Sequence, residues 1–97
     1  NKKIKKFMNK QDILNTITQG AKELKILSIV YFEKDGSNEG SRLVEPYSLR
    51  DMWTDKEGFF AFDIQKNGIR RFAVDRIQSV VITSQSFTPR NNWVVEF

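Results

Sequence analysis

The chain has 97 residues, enough for one small domain, and its 8 Phe, 2 Tyr and 2 Trp can build a thin core without crosslinks. It has 0 Cys and 0 His, which removes disulfides, thiolate zinc sites and cysteine nucleophiles, together with the commonest general base and pH sensor. The formal net charge is +4, but Lys2, Lys3, Lys5, Lys6 and Lys10 exceed it by themselves, so residues 11–97 come to about −1 and the basic balance describes a lead-in, not the whole domain.

Residues 1–10 read as a basic lead-in or linker, with Ile4, Phe7 and Met8 as one apolar helical face; the alternative is a phosphate-binding arm. The chain begins at Asn1 instead of a methionine, so it reads as a piece of something longer, with a domain expected upstream. No apolar run has the length of a membrane span and no signal-peptide core is seen, so the expected location is the cytoplasm, with no membrane partner.

Residues 11–97 read as a single domain. Gln11–Glu23 is a predicted helix, with Asn9 as N-cap, Asp12 in the first turn and a narrow stripe of Ile13, Leu14, Ile17 and Ala21. Gly20 weakens its last turn. From Leu24 the period changes to two. Lys25–Lys34 is the first predicted strand, and Asp35-Gly36 opens a polar turn that runs through Ser41. Arg42–Leu49 is the second, in which Pro46 demands an edge or a bulge. Arg50–Glu57 is a polar loop carrying Trp53. Gly58–Ile64 is the third strand, and Asn67-Gly68 signals a two-residue hairpin. Ile69–Val74 is the fourth, Asp75–Ile77 a tight turn or single helical turn, and Gln78–Thr83 the fifth. Phe87–Pro89 ends this unit, which spans residues 24–89, and residues 92–97 add a sixth short strand as an option.

Five hairpin-connected strands after a helix make a mainly β fold, and a small closed barrel would remove its exposed edges. Alternation puts Phe60, Phe62 and Ile64 on one face and Phe59, Ala61 and Asp63 on the other. Arg70 shares a face with Phe72 and Val74, so it belongs at the end of the barrel, where its guanidinium reaches water or a ligand. Arg71 points the other way and reads as plain surface.

The order Arg42-x-Val44-Glu45-Pro46, then Phe59-Phe60-Ala61-Phe62-Asp63, then Arg70-x-Phe72-x-x-Asp75-Arg76-Ile77, then Phe87 resembles the WYL domain family. The resemblance covers Ala21–Phe87. The name-giving Trp-Tyr-Leu falls on Glu57-Gly58-Phe59, where only the apolar third position is kept. The resemblance implies an Sm-like or SH3-like β-barrel after a helix, and a regulatory role. Such domains usually sit downstream of a DNA-binding helix-turn-helix in bacterial transcription factors, or beside helicase, nuclease or CRISPR modules of the defence-related kind. They are thought to bind a negatively charged ligand, a nucleotide or single-stranded nucleic acid, through a basic groove. By position, Arg42, Arg70 and Arg76 are this chain's residues for that groove.

Arginines suit bidentate phosphate contacts. For Arg76 a structural role stands equally open, as a partner of Glu45 or Asp63 that closes the barrel. Tyr47 and Trp53 lie near polar segments and are the candidates for stacking a base, whereas Phe59 reads as core. Glu23-Leu24-Lys25 matches half of a metal-dependent nuclease motif, but no carboxylate pair is spaced to converge, so neither a metal nor a cofactor is expected. The expected function is therefore non-enzymatic sensing of an anionic ligand. The competing class is a protein-interaction module, a homo-oligomer built through strand edges, with the C-terminal strand carrying Val94, Val95 and Phe97.

Overall fold

The computed structural model describes residues 8–38, 40–51 and 57–97. Among these residues, one α-helix, α1 (Lys10–Lys22), precedes five strands: β1 (Lys25–Tyr31), β2 (Ser41–Asp51), β3 (Glu57–Asp63), β4 (Gly68–Ala73) and β5 (Ile77–Ser86). All pair antiparallel in the order β4-β3-β2-β1-β5. Helix-then-five-strands is the fold that the sequence implied. The ladder is not closed, because β4 passes into β5 through a 3-10 turn at Val74–Arg76 instead of pairing with it.

The helix starts as its sequence dictates. Asn9 accepts a hydrogen bond from the Asp12 backbone N–H at 2.9 Å, which satisfies one of the open donors of the first turn. Ile13, Ile17, Gly20 and Ala21 are buried against the sheet. Gly20 has a packing reason: a Cβ there would come within 2.4 Å of Leu27 Cδ2. The fold begins earlier than residue 11. The Met8 N–H donates to the Gln78 carbonyl at 2.9 Å, and the Met8 side chain packs on the core.

Strand chemistry shapes the middle of the sheet. Pro46 cannot donate to a ladder, and the β2–β3 register slips between Pro46 and Ser48, the bulge that the proline demanded. β1 pairs β2 only from Leu27↔Val44 to Val30↔Ser41, so β2 beyond Pro46 has an open edge on that side. The C-terminal segment fills it: the Glu96 N–H donates to the Tyr47 carbonyl at 2.8 Å, with a parallel Ser48↔Glu96 bridge. The sixth strand is therefore a single bridge, and it binds this chain's own sheet. The expected two-residue hairpin at Asn67-Gly68 is a longer loop closed by the pair Asp63↔Gly68. Asp63 causes this by accepting the Lys66 N–H at 3.1 Å, and Asn67 supplies the turn's positive φ of 55°.

The two faces of the sheet have separate cores. Ile13, Ile17, Leu27, Ile29, Val44, Phe59, Ala61, Phe72 and Val80 pack together on the helix side. Ile26, Tyr47, Phe62 and Phe87 form the second cluster, with Val95 against it. The alternation read from β3 holds: Phe59, Ala61 and Asp63 face the helix side, and Phe62 faces the other.

Candidate functional site

Register brings the charged residues of the helix-side face together. Arg42 pairs across from Ile29, Asp63 from Val44, and Arg70 from Ala61, so all three lie on that face at one end of the core. Arg42 is buried at 4% exposure and Asp63 at 0%. Charges so deep persist only when paired. Arg42 Nη1 lies 3.3 Å from Asp63 Oδ2, and Arg42 Nη2 lies 3.0 Å from Glu33 Oε2. Arg70 shares both acids, at 3.4 Å from Glu33 and 3.9 Å from Asp63. The aromatic floor helps. The Arg70 guanidinium is 5.1 Å from the Phe72 ring centre, and that of Arg42 is 5.9 Å from both Tyr31 and Phe72.

The cluster has an inner and an outer half. Asp63 is locked, since its other oxygen holds the Lys66 turn. Glu33 and Arg70 each keep 29% of their side-chain exposure. Glu33 was expected inside a strand running to Lys34. The strand stops at Tyr31, because its partner β2 begins opposite Val30, and the Glu33 N–H instead donates to Ser37 in a turn. A polar cavity of about 60 Å³ lies beside the cluster, lined by Ser41, Arg42, Asp63, Gln65 and Lys66. In the cluster itself, two guanidinium groups, Arg42 and Arg70, face two carboxylates, Glu33 and Asp63. Of the two carboxylates, Glu33 is the one that solvent reaches.

The remaining expected residues do not join this pair. Arg76 is half-buried in the 3-10 turn, where its carbonyl accepts the Phe32 N–H. Among the described residues its side chain forms no ion pair with Glu45 or Asp63. Tyr47 lies in the second cluster, 5% exposed, with Phe87 and Trp93 at its ring edges at 5.6 and 5.2 Å. Its hydroxyl donates to Glu45 Oε1 and accepts from the Arg90 N–H, each at 3.0 Å. Burial pushes its phenol above the ordinary value. Trp53 lies outside the described residues. Phe59 is core, as read.

Arg90 went unnoticed in the sequence. It grips Glu45 with two nitrogens, at 2.9 and 3.0 Å, and lies 3.8 Å over the Phe62 ring. Donating to the Glu45 carboxylate raises the guanidinium's pKa above its ordinary value. An acid inside an apolar strand was the signal that a cation must come to Glu45. Register, and not spacing, decided that it is Arg90. Among the described residues no three acidic side chains converge to hold a metal ion, and no helix is long and apolar enough to cross a membrane.

The WYL domain profile matches residues 12–82. The chain belongs to the WYL domain family. The WYL match takes in most of the helix, the four charged residues of the buried cluster (Glu33, Arg42, Asp63 and Arg70), and most of β5. The fold is similar to that of proteasome accessory factor B/C (PafBC) of Arthrobacter aurescens, with a TM-score of 0.76 and 24% sequence identity. The similarity covers 91% of this chain and 14% of that one, so the WYL chain described here spans a small part of that protein. No curated protein matches it.

Proposed function

We propose that this WYL domain is a non-enzymatic regulatory module that senses a negatively charged ligand, a nucleotide or single-stranded nucleic acid, through Arg42 and Arg70, with Arg76 nearby in sequence. Membership of the family supports the regulatory part of the reading. One observation carries the binding part: two arginines are held side by side by a carboxylate, Glu33, that is still 29% exposed. A phosphate entering there meets two fork-shaped donors already aimed at an anion, so little ordering is left for the ligand to impose. Glu33 is displaced into water, while Asp63 keeps Arg42 in place. Of the two stacking candidates, Tyr47 is buried in the second cluster and not available to a base, which leaves that role to Trp53. Occupancy would then bias a DNA-binding domain elsewhere in a bacterial regulator or defence-related protein of the cytoplasm.

Fluorescence anisotropy with a labelled single-stranded oligonucleotide tests this. Arg70→Ala should weaken binding and lower the salt slope by roughly 0.7. Glu33→Gln should tighten it, because the competing charge is gone. The cluster is not the binding site if both variants bind as the wild type does.

The second reading is oligomerisation through strand edges. β4 and β5 are the outer strands, and Val81 on β5 is 59% exposed. Light scattering across a concentration series, with Val81→Lys as the control, decides it: a monomer at all concentrations removes this reading.

A further inference from the structure

The opposite face of the sheet carries two arginines with a different electrostatic situation. Arg50 pairs across from Gly58, and Arg71 across from Phe60, so both project on the face of Gly58 and Phe60. A Cβ on Gly58 would lie 2.7 Å from Arg71 Nε and 3.1 Å from its Cζ. The Arg71 guanidinium therefore lies across the glycine, in space that any other residue would occupy. Arg50 flanks the same glycine from the other strand. Arg71 is exposed and forms no ion pair among the described residues. Arg50 is 63% exposed, and its partner Glu96 stands 3.9 Å away and is 64% exposed. Among the described residues, two like charges thus flank one backbone position with one exposed acid, Glu96, beside them, an arrangement that an anion would relieve.

Beside them is a cleft of about 290 Å³, lined by Ser48, Arg50, Phe60, Ile69, Trp93 and Val94. Its apolar walls are open to solvent: Trp93 is 36% exposed, Ile69 46% and Val94 68%. The Trp93 ring stands nearly perpendicular to that of Tyr47, with 5.2 Å between ring centres. The cleft is too small for a helix about 10 Å wide, and suits one planar ring.

We infer that this face is a nucleotide subsite, in which Phe60 and Trp93 hold a base and Arg50 and Arg71 its phosphate. The ligand class rests on the proposed function, but the site is on the other face, where the one acid paired with these arginines among the described residues, Glu96, is itself exposed. A free nucleotide and one unit of a single strand share this chemistry. The sequence treated Arg71 as plain surface and did not use Trp93.

The test uses the full chain with Trp53→Phe, so that Trp93 is the one remaining tryptophan. Labelled oligothymidylate, AMP and inorganic phosphate are titrated separately, by anisotropy for the first and Trp93 fluorescence for all. Trp93 quenching by the oligonucleotide alone assigns the site to a strand, quenching by AMP as well assigns it to free nucleotides, and both support the subsite. Arg50→Ala with Arg71→Ala should cut affinity about tenfold and flatten the salt dependence, and Trp93→Ala about fivefold or more. Gly58→Ala, which pushes Arg71 aside, should weaken binding with both arginines still present. Unquenched Trp93, or affinity unchanged in the double arginine variant, overturns the subsite. Arg70→Ala, measured in parallel, reads the other face: a loss there with Arg50 and Arg71 indifferent sinks this inference and leaves the proposed function standing.

Discussion

Arg42→Met is the sharpest probe of the buried cluster. The substitution keeps the apolar stem and removes the guanidinium, leaving Asp63, with 1% side-chain exposure, the Lys66 N–H on one oxygen and Arg70 at 3.9 Å from the other. Removing one partner of a buried ion pair costs about 3–5 kcal/mol, because the other charge stays in the interior. Arg70 recovers part of this, so the lower end applies, about 3 kcal/mol. For a domain of this size that corresponds to a fall in Tm of roughly 12–24 °C. Urea denaturation followed by circular dichroism measures it, with the midpoint shifted and the slope kept. Arg42→Met with Asp63→Asn should recover much of the loss, since no uncompensated charge then remains inside. A loss below about 1 kcal/mol, the value of an exposed pair, would refute the reasoning. The same figure explains why Arg70 and Glu33 are the positions for ligand tests: changes at Arg42 confound binding with unfolding.

Two further outcomes follow from the second face and the helix. Burial holds the Tyr47 phenol protonated above its ordinary pKa of about 10, so its contribution to stability is complete below that pH and is lost as pH rises through the higher folded value. Tyr47→Phe should cost about 1–2 kcal/mol at neutral pH, by leaving the Arg90 N–H without its acceptor, and should flatten the decline in stability above pH ~10, read from urea midpoints across alkaline buffers. Gly20→Ala, usually worth about 1 kcal/mol of helix propensity, should here lower stability by about 1 kcal/mol, because fully buried Leu27 must move; a higher Tm would show that the Gly20–Leu27 contact is loose.

Features set by a residue and its immediate neighbours were legible in the sequence. Asn9 caps, Pro46 forces a bulge, and the alternation from Phe59 to Asp63 sorts β3 into its two faces. Features that depend on two strands meeting were not. Arg42 meets Asp63 across 21 residues and Arg70 meets Glu33 across 37, and both depend on register that no local pattern encodes. The same limit hid Arg90, which sits in a polar segment and finds Glu45 only when the C-terminal segment crosses the second face. Asn67-Gly68 misled for a third reason: a strand-end acid, Asp63, set the loop length before the dipeptide could. The groove read from Arg42 and Arg70 as a basic surface is thus a neutral, carboxylate-filled cluster.

The bulge at Pro46–Ser48 acts as a parity switch for everything after it in β2. With strict alternation Leu49 would point away from the helix side and Arg50 into it. The extra residue reverses this: Leu49 falls opposite Phe59 and packs on the helix-side core, and Arg50 falls opposite Gly58. Losing one residue between Pro46 and Ser48 would therefore bury an arginine, expose a leucine and separate Arg50 from Arg71. The spacing of this short stretch, more than the identity of its side chains, decides which face of the sheet is charged.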